Sequence, residues 1–95
     1  MTVTISLAPV LGERAGGRSA VHVDAATVAE ALHQLTTRFP ELATLVWSPE
    51  GGINPFLVVF LEDQDIREFG GLDAALRPGD EISVVTAVEG GISVP

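Results

Sequence analysis

Ninety-five residues, 46% of them hydrophobic and 19% charged, suffice for one globular domain with a core and leave no room for a second. Thirteen acidic residues against five basic ones give a net charge of −8, which opposes binding to nucleic acid and to anionic membranes. There is no cysteine, which excludes disulfides, thiolate metal sites and thiol nucleophiles.

The first ten residues, MTVTISLAPV, carry no basic residue ahead of a short apolar stretch, so no secretory signal is expected and the location predicted is cytoplasmic. No later apolar run approaches the roughly 20 residues that a membrane span needs. Residues 2–8 alternate polar and apolar, with Val3, Ile5 and Leu7 on one face, the pattern of a half-buried strand. Residues 9–17 hold Pro9, Gly12, Gly16 and Gly17 and read as a turn. Residues 18–24 alternate again, Val21 and Val23 inward and His22 outward, which completes an N-terminal hairpin.

The clearest helix follows. Thr27 and Glu30 fit the S/T-x-x-E capping box, and Val28, Leu32, Leu35 and Phe39 then form one apolar stripe. Pro40 ends this helix, because the residue before a proline is pushed out of helical angles. Residues 41–47 suggest a second short helical piece, and SPEGGINP (48–55) a flexible connector. Residues 56–61, FLVVFL, are apolar at every position, so this strand offers hydrophobic side chains to both faces. A polar turn at 62–65, a short return strand at 66–69, a glycine break at 70–71 and one helical turn at 72–76 are expected next. Pro78 and Gly79 suit the centre of a type II turn before a last strand at 82–87. The order is ββαβββ, an α+β domain over residues 1–87 with one main helix packed on one side of a mixed sheet. Residues 88–95 are read as a flexible C-terminal tail.

Side chains suited to chemistry are scattered. His22 and His33 have no carboxylate at metal-ligand spacing and read as surface residues. Asp63 and Asp65 resemble a fragment of a calcium loop that lacks the glycine and the terminal glutamate. Neither a nucleophile elbow nor a phosphate-binding glycine loop is present. The residues therefore point to a protein that is not an enzyme and holds no metal or cofactor.

Two features stand out. If Leu57, Val59 and Leu61 face the helix, Phe56, Val58 and Phe60 lie on the open face of the sheet as a partner surface, unless Trp47 or the connector covers them. The second is Gly90-Gly91, placed just after the last strand, where two residues without Cβ allow an extended backbone to thread a narrow slot. All five bases are arginines (Arg14, Arg18, Arg38, Arg67, Arg77). Arginine-favouring codon usage accounts for this, as does the protection of an activated acyl group from side-chain amines.

The strand TVTISL, the capped helix TVAEALHQL and the stretch from Phe56 to Gly91 resemble the ubiquitin-like β-grasp sulfur carriers of the MoaD/ThiS family. DQDIREFGGLDAAL followed by PGDEISVVTAVEGG is most similar to the carriers of protein-dependent cysteine biosynthesis. The resemblance implies a β-grasp fold and a reactive backbone terminus. In this family a ubiquitin-activating-like adenylyltransferase and sulfurtransferase spends ATP on the terminal glycine carboxylate, here Gly91, and a thiocarboxylate results. Val88, Glu89, Gly90 and Gly91 would be the slot-threading arm, and a cysteine-synthase-like enzyme the sulfur acceptor. Family members usually end at the second glycine, whereas Ile92-Ser93-Val94-Pro95 follow here and leave the Gly91 carbonyl an amide. The resemblance thus implies a precursor cut between Gly91 and Ile92 by a JAMM-type zinc metalloprotease. Glu89 stands where the family more often has a small residue. The alternatives are a non-conjugating ubiquitin-like binding module and a subunit like the small subunit of molybdopterin synthase.

Overall fold

The computed structural model of the chain describes residues 2–87. Its strands are β1 (Thr2–Leu7), β2 (Ala20–Asp24), β3 (Leu57–Leu61), β4 (Gln64–Asp65) and β5 (Glu81–Thr86). The helices are α1 (Pro9–Glu13), α2 (Val28–Arg38) and α3 (Ala43–Val46). The strands form one sheet in the order β2-β1-β5-β3-β4. β1 and β5 run parallel at its centre and every other pair is antiparallel. This is the mixed sheet and α+β, ubiquitin-like β-grasp architecture that the sequence pattern and the resemblance imply.

Alternation fixes which face is buried. Val3, Ile5, Val21, Val23, Val59, Ile82 and Val84 turn to the helix side and are nearly inaccessible. Val28, Leu32 and Leu35 of α2 meet them with no exposed surface. Burying each such side chain stabilises the fold by about 1.5–3 kcal/mol. The cap forms as expected: the Glu30 amide donates to Thr27 Oγ1 at 3.2 Å. The return bond goes one residue earlier than in the usual box, with the Ala26 amide donating to Glu30 Oε1 at 2.8 Å. α2 stops at Arg38, Phe39 leaves helical angles (φ −127°, ψ 83°), and Pro40 opens a 3-10 turn into α3.

The structure departs from the sequence pattern in four places. Residues 9–17 are not a plain turn, because Pro9 starts α1 and Leu11 anchors it in the core. The connector 48–55 is pinned rather than free: Trp47 bridges Ile53, and the Asn54 amide donates to the Val46 carbonyl at 2.8 Å. The return strand comes two residues early. Gln64–Asp65 pair with Phe60 and Leu61, after which Ile66–Glu68 wind into a 3-10 turn that carries Ile66 into the core. The expected helical turn at 72–76 is a 3-10 turn at Gly71–Asp73. Residues 74–76 run extended against the start of α2, where the Val28 amide donates to the Ala74 carbonyl at 3.1 Å and the Leu76 amide to the Ala26 carbonyl at 2.9 Å. The Pro78-Gly79 turn is as expected, with Gly79 at φ 87° and the Asp80 amide bonded to the Arg77 carbonyl at 3.0 Å.

Candidate partner-docking face

β3 divides its side chains as the FLVVFL run suggests. Leu57, Val59 and Leu61 are buried under the helices, while Val58 and Phe60 are half-buried on the opposite face. Phe56 sits just before the strand and is 66% exposed, the most exposed large apolar side chain described. Register adds what the sequence pattern missed. Val85 of β5 is opposite Val58, and Ser83 is opposite Phe60. The Ala87 amide donates to the Phe56 carbonyl at 2.7 Å, so the last described residue leaves the sheet beside Phe56. The apolar strip is therefore Phe56, Val58, Phe60 and Val85. The signal for Val85 was available: in ISVVT the alternation breaks, and the second valine must face away from the core.

Trp47 does not cover this strip. It stacks on His33 of α2, ring centroids 4.5 Å apart, and its Nε1 donates to Thr36 Oγ1 at 3.2 Å on the helical side of the sheet. His33 thus has a packing role that the sequence pattern did not suggest. His22 Nδ1 lies 3.1 Å from Thr4 Oγ1 on the open face. Connector residues Ile53, Asn54 and Pro55 border the strip at one end, where a groove of about 200 Å³ runs along β3 to Ile66 and Arg67.

One ion pair frames the strip. The Asp65 carboxylate caps the turn by accepting from the Arg67 amide at 3.0 Å, and it holds the guanidinium through Nε at 3.1 Å and Nη2 at 2.6 Å. These hydrogen bonds from Arg67 hold the Asp65 carboxyl below its ordinary range and raise Arg67 in turn. Asp65 pairs with Phe60 across β3 and β4, which places the charge next to the ring. A neutralised, hydrogen-bonded pair beside an apolar strip suits the rim of a protein interface, where polar groups surround a dry centre.

The predicted arm (Val88, Glu89, Gly90, Gly91) and the predicted cleavage bond between Gly91 and Ile92 lie outside the described residues. Among the described residues no group of three or more His, Cys, Asp or Glu side chains is arranged to hold a metal ion, and no helix is long and apolar enough to cross a membrane.

Comparison with known proteins gives a consistent result. Residues 9–91 match the ThiS family. The sulfur carrier protein CysO of Mycobacterium tuberculosis is 28% identical over 93 residues, a match that covers 96% of this chain and the whole of that protein. Among solved structures, a chain of the Amycolatopsis orientalis BexX/CysO complex superposes with a TM-score of 0.84 at 31% identity, covering 94% of this chain and 99% of that one. SAMP1 from Haloferax volcanii superposes with a TM-score of 0.82 at 29% identity, over 96% of this chain and the whole of the other.

Proposed function

The chain belongs to the ThiS family of sulfur carriers, and from that premise we propose that its reactive group is the backbone carboxylate of Gly91, unmasked when residues 92–95 are removed. As a carrier it is acted on by enzymes and is not one itself. The observation that carries the proposal is the end of the family match at Gly91, with four residues following it. In the sequence as it stands, the Gly91 carbonyl is tied up in a peptide bond. Amide nitrogen is too poor a leaving group, and the carbonyl oxygen too weak a nucleophile, for reaction with ATP.

The chemistry then runs in three steps. A JAMM-type zinc metalloprotease adds water across the Gly91–Ile92 bond and releases Ile-Ser-Val-Pro. The freed carboxylate attacks the α-phosphorus of ATP in the active site of an adenylyltransferase resembling ubiquitin-activating enzymes. This forms the acyl adenylate and expels pyrophosphate, dividing one hard substitution into two easier ones. A sulfide sulfur next displaces AMP and leaves the thiocarboxylate; where the donor is a persulfide, the acyl disulfide first formed is cleaved by a second thiol, which takes the donor's sulfur into a disulfide and frees the thiocarboxylate. That sulfur is the nucleophile delivered to an acceptor synthase, here proposed to be cysteine-synthase-like. Gly90 and Gly91 suit a slot that a Cβ would block. Phe56, Val58, Phe60 and Val85 dock the activating partner. A relative is known in a BexX/CysO complex, which supports a stable protein partner for this chain. On this reading a carrier that meets such enzymes works in the cytoplasm. No bound cofactor is proposed; ATP belongs to the partner.

Intact-mass measurement tests each step. With a JAMM-type protease the chain should lose the mass of Ile-Ser-Val-Pro and nothing else. A chain ending at Gly91, given ATP, sulfide and the activating enzyme, should gain the difference between sulfur and oxygen. A truncated chain that undergoes no ATP-dependent reaction with that enzyme would favour the non-conjugating binding module.

A further inference from the structure

Ala87, the last residue described, is tied to the sheet through Phe56, and one residue of the connector holds Phe56 in place. In a trans peptide the N–H and the C=O point in opposite directions and turn together as one plane. The Phe56–Leu57 peptide uses both ends. Its carbonyl accepts from the Ala87 amide at 2.7 Å, and its N–H, that of Leu57, donates to the Asn54 carbonyl at 2.9 Å. The adjoining Pro55–Phe56 peptide is fixed by the same residue, because the Phe56 amide donates to Asn54 Oδ1 at 3.0 Å.

Asn54 thus holds two consecutive peptide planes, one with its side chain and one with its backbone. Asparagine before proline suits this turn: the Asn side chain accepts from the amide two residues on, and Pro55 fixes φ at the next position. Asn54 is itself anchored. It follows the Trp47–Ile53 bridge, and its own amide donates to the Val46 carbonyl of α3 at 2.8 Å. A continuous run of hydrogen bonds therefore leads from α3 through Asn54 and Phe56 to Ala87, and bonds in such a run polarise and strengthen one another.

We propose that Asn54 is a positioning residue for the terminal arm: by fixing the Phe56 carbonyl that holds Ala87, it sets the point from which residues 88–91 start. The inference rests on the reading of Gly91 as the reactive carboxylate. Four residues reach at most about 14 Å, so the arm leaves little slack between the Phe56 contact and the reacting phosphorus. With Ala87 fixed beside Phe56, a partner that seats the Phe56 ring meets the root of the arm at a defined place. With Ala87 released, the arm starts from no defined point, and small errors in placing a reacting group lower rates steeply. Asn54 acts through Phe56 and Ala87 and touches no reacting atom.

Two measurements on Asn54→Ala test this, with Asn54→Asp, which keeps the Oδ1 acceptor, as the rescue. In the full chain, exchange of the Ala87 amide is expected to quicken by about tenfold in Asn54→Ala, the effect of losing one hydrogen bond from the run. The central amides of β1 should quicken less, whereas a general loss of stability would move them as much. In chains ending at Gly91, single-turnover adenylation at saturating activating enzyme is expected to slow by about tenfold. Saturation removes any difference in docking, so this rate reads the presentation of the carboxylate alone. Asn54→Asp should restore both values. Asn54→Ser, with a shorter and weaker acceptor, should fall between them and keeps the test decisive if Asn54→Ala does not fold. Unchanged exchange at Ala87 would overturn the proposal, as would full-speed adenylation in a variant whose Ala87 amide is released, or an Asn54→Asp chain as slow as Asn54→Ala. If the unaltered chain is itself not adenylated, the reading of Gly91 fails instead, and exchange at Ala87 alone decides whether Asn54 holds the root of the arm.

Discussion

At the scale of single residues, the Asp65–Arg67 pair makes a prediction with a definite sign. The Asp65 carboxyl is held below its ordinary value chiefly by the side-chain hydrogen bond from Arg67, then by the Arg67 backbone amide. A carboxyl with a lowered folded-state pKa adds stability above its unfolded value and loses it as pH falls through the folded one. Because the pair is exposed, the stability at stake is small, and the titration itself is the readout. In Arg67→Ala the Asp65 carboxyl should titrate at higher pH, moving back toward the ordinary carboxylate value. NMR of the side-chain carboxyl carbon follows this directly, and an unchanged midpoint would remove Arg67 as the cause. Gly12 makes a second prediction, from steric contact. A Cβ built on it would stand 2.4 Å from the Arg18 carbonyl oxygen, a backbone atom that no rotamer change can move. Gly12→Ala forces the 12–18 loop away from α1, and overpacking of that kind costs about 1–3 kcal/mol. Urea denaturation should give a lower midpoint with the slope unchanged.

At the scale of elements, α2 is where local and tertiary signals agree. Thr27 caps it, Val28, Leu32 and Leu35 fill its buried side, and Pro40 follows its end, so its limits were readable from spacing alone. Thr27→Ala removes the side-chain acceptor for the Glu30 amide and should cost about 1 kcal/mol. In a domain of this size, that lowers the thermal midpoint by roughly 4–8 °C. Calorimetry would check it, and Thr27→Ser should restore most of the loss. Elements held by contacts distant in sequence were not readable. α1 exists because Leu11 reaches a core assembled from strands on either side, and nothing in PVLGE by itself outweighs its glycine. Residues 74–76 contain two alanines and a leucine, which favour helix, yet their backbone is drawn straight by bonds to the Val28 amide and the Ala26 carbonyl at the start of α2. Ile66 likewise reads as a strand residue by β-branching, but the core lies beneath the sheet edge and a 3-10 turn is the shorter route into it.

At the scale of the whole molecule, the proposed function rests on how a small acidic body is met by larger partners. The open face of β3 was legible because six consecutive apolar residues cannot all point inward, whereas the ion pair beside it depends on where β4 stops. On the proposed reading, recognition has two separable parts, an apolar contact at the exposed Phe56 and a long-range field from a net charge of −8. The field speeds encounter with a basic docking surface and is screened by salt, and such steering commonly changes association rates by about tenfold or more. The apolar contact acts after encounter and is nearly indifferent to salt. For the chain ending at Gly91 and its activating enzyme, kcat/KM should therefore fall by about an order of magnitude as ionic strength rises, with kcat nearly constant. Phe56→Ala should lower kcat/KM by an amount corresponding to about 2 kcal/mol if the ring is an interface anchor, and it should leave the slope against salt unaltered. Because Phe56 is exposed, its loss should not change the unfolding midpoint, which separates a docking defect from a folding one. A salt slope that flattened in Phe56→Ala would mean that the two parts are not separable. A kcat/KM equal to that of the unaltered chain would place the docking surface elsewhere.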